Sequence, residues 1–411
     1  MEEILSIQSG VAFDESIAHY EIHSHQPYTS AAAYNNSDEI RIMIQHQDLC
    51  ILPSRSSLRI CGQLTKTAGT AAVENTALVN NAICHLFEEM RYELNAIEID
   101  KSRNVGLTTV MKGWLSHHPG QTLMLENAGW IDIEETKQLT DASGYFDISI
   151  PLSMLFGFAE DYRKIIVNAK HELILTRSKS DLNAVIQIAG ADNTYEGFKI
   201  TLNRIEWLMP YVNVSDKRKI HLFNFIAKDR AISMSFRNWE LYEYPILPTT
   251  SNHVWTVKTS NQLEKPRFVI LGFQTNRKGQ KNKNSSQFDH CDISNVKLFL
   301  NSQNYPYGNL NLNIAQNEYS LLYNMYVNFQ NAYYARDPEP MLNKSNFITR
   351  MPLIVIDCSK QNEALKSAPV DVRLEFESRK NFPQGTSAYC LILHDRIIEY
   401  NPVSGDVKKL V

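Results

Sequence analysis

Val370-Asp-Val-Arg-Leu-Glu-Phe376 alternates without a break. Val370, Val372, Leu374 and Phe376 fall on one side, and Asp371, Arg373 and Glu375 on the other. Successive side chains of a β-strand point to opposite faces, so this stretch predicts a strand with one face in a core. Working outward, strand-like runs recur along the whole chain. They are Ile40–Ile44, Leu58–Cys61, Tyr92–Leu94, Glu172–Thr176, Phe198–Leu202, Arg267–Leu271, Val296–Leu300 and Tyr389–Leu393. Clusters of Asn, Pro, Ser and Gly separate them as turns. Helical spacing is confined to Gly106–His117 and Glu318–Ala332, with Gly157–Ala169 as a candidate third. In the second of these, Leu321, Leu322, Met325, Val327 and Phe329 recur at helical intervals. Many strands and so few helices predict all-β sandwiches rather than βαβ units.

The same plan occurs twice. Arg91-Tyr-Glu-Leu-Asn-Ala96 is echoed by Lys297-Leu-Phe-Leu-Asn-Ser302, and each is followed by a predicted helix and a Pro-Leu pair. Leu94 and Leu152 are 58 residues apart, and Leu300 and Leu353 are 53 apart. From each Pro-Leu, 21 residues lead to Leu173 and Leu374, both in strand-like runs. Each Pro-Leu is therefore expected to open a strand. Two sandwiches of about 200 residues, joined near Asn213–Lys217, fit this pattern and the usual size of a domain.

Composition agrees with a globular protein. The 411 residues are 43% hydrophobic and 21% charged, which excludes disordered, collagenous and disulfide-framework classes. The most apolar stretch, Ile150–Ala159, is far too short to span a bilayer. MEEILSIQSG opens with two acids and leads into no long apolar region, so no signal peptide is expected. Six dispersed cysteines suit a reducing compartment. Sequons begin at Asn35, Asn213, Asn284 and Asn343, and in an Asn-rich intracellular chain they read as chance. The net charge of −4 hides an asymmetry. Residues 1–213 carry 16 basic and 27 acidic side chains, net −11, whereas residues 214–411 carry 25 and 18, net +7. Such halves could attract one another within or between subunits. A chain coating nucleic acid along its length would be basic throughout.

No phosphate-binding loop, dinucleotide fingerprint, zinc-protease motif or nucleophile elbow is present, and 16 glycines leave little for a phosphate cradle. Phe288-Asp-His-Cys-Asp292 holds zinc-ligand types, but neighbours in an extended segment point apart, so it reads as a turn or strand entry. His23 and His25 share a strand face and suit either a metal, a pH response or a polar edge. His117-His118 ends a predicted helix, where cationic or dipolar side chains suit the last carbonyls. Arg277-Lys-Gly-Gln-Lys-Asn-Lys283 puts four cations in seven residues. Without an aromatic to stack bases it reads as a solvated, mobile loop, with nucleic-acid or partner contact the other reading. Trp239, Tyr242, Tyr244, Tyr305 and Tyr307 suit a core or a subunit contact. No catalytic, cofactor-binding or metal-binding residue is assigned, and no cofactor is expected.

Several of these segments resemble a known family. Phe268–Asn276 followed by Phe288–Asn301, and also Leu353–Glu363 and Tyr389–Pro402, resemble the double jelly-roll-like proteins of insect and other invertebrate viral elements. Glu88-Glu-Met-Arg-Tyr-Glu-Leu-Asn-Ala-Ile-Glu-Ile-Asp100 is similar to a hairpin of large DNA-virus major capsid proteins. The resemblance covers nearly the whole chain, most specifically residues 230–405. It implies an all-β chain of two consecutive eight-stranded antiparallel jelly rolls, residues 1–213 and 214–411, with a few short helices in loops. It further implies a major capsid protein that forms homotrimers and pseudo-hexagonal capsomers, without enzymatic activity or cofactor. The partners implied are further copies and a penton or minor capsid protein, with nucleic acid met only through packaging. The location implied is the virion, after synthesis in the host cytoplasm and with nuclear assembly left open. The chain lacks the long tower insertions of the largest members. Three other readings remain: a host-resident, virus-derived protein of this fold, a β-sandwich ligand- or carbohydrate-binding module, and an enzyme built on a metal or a perturbed Cys/His pair.

Overall fold

The structure, a computed structural model, describes residues 17–28, 34–45, 50–68, 71–131, 138–190, 192–259, 266–301, 303–360 and 370–410. The MEEILSIQSG segment and residues 361–363 of the resembling stretch Leu353–Glu363 lie outside the described residues.

Twelve strands come first: Ile17–His25 (β1), Glu39–Gln45 (β2), Cys50–Ile51 (β3), Ser57–Lys66 (β4), Thr76–Leu78 (β5), Phe87–Leu94 (β6), Ile97–Arg103 (β7), Tyr145–Pro151 (β8), Ile166–Val167 (β9), Lys170–Arg177 (β10), Val185–Gln187 (β11) and Phe198–Val214 (β12). Nine follow: Ile232–Tyr244 (β13), Asn252–Thr259 (β14), Pro266–Thr275 (β15), Ile293–Leu300 (β16), Gln303–Tyr305 (β17), Ile354–Asp357 (β18), Asp371–Ser378 (β19), Thr386–Tyr400 (β20) and Val407–Lys409 (β21). The α-helices among the described residues are Ala82–His85 (α1), Val105–Ser116 (α2), Thr122–Asn127 (α3), Leu152–Leu155 (α4), Gly157–Asp161 (α5), Asp216–Ile226 (α6), Ser320–Tyr334 (α7) and Lys344–Arg350 (α8).

Hydrogen bonding orders one sheet β1-β12-β4-β8, with β3 and β9 extending it, and a second sheet β2-β10-β6-β7. The later strands repeat this: β13-β20-β15-β18, with β21 on β20, and β14-β19-β16-β17. All these pairings are antiparallel. Strand for strand, β1 corresponds to β13, β2 to β14, β4 to β15, β6 to β16, β7 to β17, β8 to β18, β10 to β19 and β12 to β20. Long helices stand in equivalent places too, α2 between β7 and β8 and α7 between β17 and β18. These are two eight-stranded jelly rolls in tandem.

Val372, Leu374 and Phe376 are inward and buried, as the alternation requires. Phe268-Val-Ile-Leu reads instead as a continuous apolar run because β15 is covered on both faces. One face joins the sandwich interior and the other meets α7, where the Phe268 and Phe329 rings are 5.0 Å apart. The repeat keeps its register at the strands. Leu173 pairs with Tyr92 and Leu374 with Leu298, each two residues before the end of its partner strand. The Pro-Leu link differs between the halves. Pro352-Leu353 precedes β18 as expected, but Pro151 ends β8 and Leu152 begins α4. The helix expected over Gly157–Ala169 stops at Asp161, because Ile166 and Val167 are drawn into pairing with β3. The expected joint at Asn213–Lys217 runs directly into α6.

Asn95 and Asn301 show why the repeated Leu-Asn matters. Both have left-handed φ, 49° and 53°. Their side-chain oxygens accept the N–H of Lys170 (2.7 Å) and Asp371 (3.0 Å), so each turn fixes the first residue of the neighbouring strand, β10 or β19. In the first roll Asn95-Ala96 forms a two-residue hairpin turn with both φ positive, which suits Asn-Gly better than Asn-Ala. Ala96→Gly is expected to stabilise the protein by about 1 kcal/mol by removing left-handed strain. Asn95→Ala is expected to cost about 2 kcal/mol, combining that strain with a lost hydrogen bond. Urea unfolding midpoints moving in opposite directions check both.

Candidate functional site

The two sandwiches do not end at the linker. Leu107, Val110, Met111, Trp114 and Leu115 of α2 belong to the second roll's core, while Met234 and Phe236 of β13 and Ile398 and Tyr400 of β20 belong to the first's. The seam between the rolls is therefore part of both interiors. For a chain without a recognisable catalytic motif, this seam is the structurally richest site.

At its centre is Lys112 of α2, only 3% exposed. Its ammonium donates to Glu160 Oε1 (3.0 Å), Ser116 Oγ (2.8 Å) and Tyr334 Oη (2.8 Å). It also lies 4.4 Å and 4.6 Å from the ring centres of Trp239 and Tyr333. Burial pulls the Lys112 ammonium below the usual lysine value, and Glu160 opposes that shift. Tyr333 and Tyr334 both donate to the Glu160 carboxylate, so its oxygens are satisfied. Burial pushes both phenols well above their ordinary value, which keeps them as donors. Beside this cluster, Arg237 of β13 makes a two-pronged pair with Asp161 (2.6 and 2.8 Å) and lies over the Tyr333 ring. Burial pulls against the Arg237 charge, but the bonds to Asp161 more than offset it and hold the guanidinium above its usual value.

Two further contacts close the seam. A helix leaves its last four carbonyls without internal partners. At the end of α2 the other roll supplies partners for three carbonyls: Tyr326 Oη donates to Trp114 O (3.1 Å), Gln330 Nε2 to the C-cap His117 O (2.8 Å), and Arg336 to Ser116 O. Asp100 of β7 accepts from Asn238 Nδ2 of β13 (2.9 Å) and from Phe158 N–H (2.8 Å). Burial raises that carboxyl to about 7. The arrangement can lock two sandwiches at one angle. It offers no nucleophile–base pair, since the lysine and carboxylate are consumed by each other.

A family model described as the double jelly roll-like domain matches residues 76–398. The chain belongs to the double jelly roll-like family. No curated protein matches its sequence. Among solved structures, a chain from the cryo-EM structure of the Sputnik virophage is similar, with TM-score 0.63 and 10% identity over 98% of this chain and 90% of that one. The Faustovirus major capsid protein gives 0.58 and 10% identity, covering 97% of this chain and 93% of its own. The mavirus major capsid protein gives 0.56 and 11% identity, covering 100% and 93%. At these identities the likeness is one of fold.

In this double jelly roll-like protein the residues singled out by sequence have mostly local tasks. Phe288 is core, Asp289 pairs with Arg277 (2.7 Å), and Asp292 N–H donates to His290 Nδ1 (3.0 Å). Burial pushes the Cys291 thiol up to about 12. Among the described residues no three His, Cys, Asp or Glu side chains gather as metal ligands. None of the six cysteines is joined in a disulfide. His23 Nε2 lies 2.9 Å from Glu21, and His25 Nε2 lies 2.9 Å from the Tyr211 hydroxyl. Hydrogen bonding from His23, and then from His19, holds the Glu21 carboxyl below its usual value. The His117 ring packs edge-on against Trp130 at 5.0 Å, and partners from the other roll cap the helix instead. Asn284 is buried, and Asn343 caps α8 by accepting Asn346 N–H (2.8 Å). Trp239 is core and Tyr307 is exposed.

The basic loop has more partners than its sequence suggests. Arg277 pairs with Asp289, Lys278 with Glu243 (2.7 Å), and Lys283 donates to Thr275 O (3.0 Å). Gly279 N–H donates to Asn183 Oδ1 (2.7 Å), and Lys281 O accepts from Gln187 N–H (2.7 Å). The segment is anchored to the first roll at these points, while residues 278–282 remain exposed to solvent as expected. Lys112, Glu160 and Arg237 were not singled out. The available signal was one charge, Lys112, inside the otherwise uncharged helix Val105–Ser116.

Proposed function

We propose that this chain is a major capsid protein, a structural subunit that trimerises into a pseudo-hexameric capsomer and tiles an icosahedral shell. The shell would be that of a DNA virus or a related virus-like element. The observation that carries this reading is the strand-for-strand equivalence of the two rolls. Three copies around an axis would present six similar walls, as a hexagonal tile requires. Fold likeness to the mavirus and Faustovirus major capsid proteins supports the same role. The role calls for shape and contacts rather than catalytic groups or a cofactor.

We divide the chain at residues 1–213 and 214–411, because β12 reaches Val214 and α6 starts at Asp216. The partners are further copies, with a penton or minor capsid protein completing the shell, and nucleic acid enters only as cargo. The destination is the virion, after synthesis in the host cytoplasm. The acidic first half and basic second half, which meet inside one chain at Asp161–Arg237, would alternate around the ring.

Light scattering of purified protein is expected to give a stable species near three times the 47.1 kDa chain mass, with hexagonal tiles in negative stain. A 47.1 kDa monomer that persists at high concentration overturns trimerisation of the chain by itself. Trimer stability should also fall as salt rises, and a trimer indifferent to salt removes the charge-alternation argument.

A further inference from the structure

Helix α6 is unlike the rest of the molecule. None of its eleven residues is buried, yet it carries Ile220 at 62%, Phe223 at 55% and Phe225 at 43% exposure. Ile220, Phe223 and Ile226 recur at three-residue intervals, so they share one side of the helix, with Leu222 beside them. A scattered apolar side chain on a surface needs no explanation, but a whole helix turned outward does. Its charge is equally distinctive. Residues 216–230 carry Lys217, Arg218, Lys219, Lys228 and Arg230 against Asp216 and Asp229, net +3 in a chain of net −4.

The register of the sheets places this helix. β12 ends with Val214 opposite Ile17, the first described residue, and β13 begins with Ile232 opposite Tyr400. β21 folds back so that Val407 also pairs with Tyr400. The start of β1, helix α6 and the C-terminal strand therefore gather at one end of the molecule. That end also presents Lys408 and exposed Leu410.

We infer that α6 is an interfacial helix that lays this end of the protein on an anionic lipid surface. Cations flanking exposed Ile and Phe side chains complement such a surface twice, by charge toward headgroups and by apolar insertion at the acyl boundary. Nucleic acid would use the cations alone, because β-branched and phenyl groups on a helix gain nothing from phosphates. A second copy would cover the apolar residues but has no need of the flanking charge. The inference does not depend on the capsid reading.

The test is co-sedimentation of the full chain with phosphatidylcholine vesicles, with or without 30% phosphatidylserine (about that fraction gives a strongly negative surface). Binding is expected only to the anionic vesicles. Ile220→Ser with Phe223→Ser should weaken it at least about tenfold, and so should Lys217→Ser with Lys219→Ser. Because Lys217, Lys219, Ile220 and Phe223 are all exposed, both double variants should keep the wild-type melting curve. Three results overturn the proposal. One is no preference for anionic vesicles. Another is a drop in oligomeric mass in the Ile220/Phe223 variant, which assigns the face to a second copy. The third is retention on double-stranded DNA that only the lysine variant loses.

Discussion

Lys112→Met is expected to destabilise the protein by about 3–5 kcal/mol, the cost of removing one member of a buried ion pair. Methionine can fill the same channel between the Trp239 and Tyr333 rings, so little of that loss would be cavity. The loss arises because the Glu160 carboxylate stays buried, with two tyrosine hydroxyls but no cation. Glu160→Gln alone should cost a comparable amount, since it leaves the ammonium without its counter-charge. The double variant should recover most of the loss, because neither charge then remains to be solvated. A double-mutant cycle in guanidinium chloride reads that coupling directly, and additive losses would show that the pair does not act as a unit. The consequence reaches beyond stability. Arg237–Asp161 and the capped carbonyls of α2 lie beside the pair, so the cluster sets the angle between the rolls. On the proposed capsomer reading, that angle would decide whether six walls close into a hexagon, so the single variants should also give fewer regular tiles.

Period-two alternation located β2, β4, β12, β16 and β19, because each has a stretch with one buried face, whereas the runs in β10 and β20 are buried on both faces and were legible as continuous apolar stretches. The Leu94-Asn95 and Leu300-Asn301 echo was legible because one turn chemistry does one task twice. Pro151-Leu152 misled because proline both starts and ends strands, and only the chain's route decides which. Helix α6 was hidden for a related reason: none of its residues is buried, so no amphipathic stripe faces a core. The seam was nearly invisible to sequence reading. Lys112 and Glu160 are 48 residues apart, and Lys112 and Tyr334 are 222 apart, so only tertiary contact makes them a site. The basic loop looked mobile because its partners Asn183 and Gln187 lie in the other roll.

Gly157→Ala tests the seam from the backbone side, and it is expected to be the most damaging single-methyl change in the chain. Alanine is the better helix former by about 1 kcal/mol, and Gly157 is the first residue of α5. Propensity alone therefore predicts a gain. The structure predicts the opposite sign, because a Cβ at 157 would stand 1.6 Å from the Arg237 carbonyl oxygen and 2.8 Å from its carbon. Both atoms are backbone of β13 in the second roll, so no side-chain rotation relieves the clash. Either α5 or β13 must retreat, and α5 carries Phe158 N–H, Glu160 and Asp161 into the three contacts that hold the seam. Overpacking of this kind costs about 3 kcal/mol or more. Its signature should be separation of the rolls rather than loss of either one. Calorimetry should show a transition that splits in two relative to wild type, and protease should gain access to the seam-facing helix α2, which is buried in the wild type. A Gly157→Ala protein that melts as wild type, in one transition, would mean the rolls tolerate sliding at this contact and that the ionic cluster alone fixes their angle.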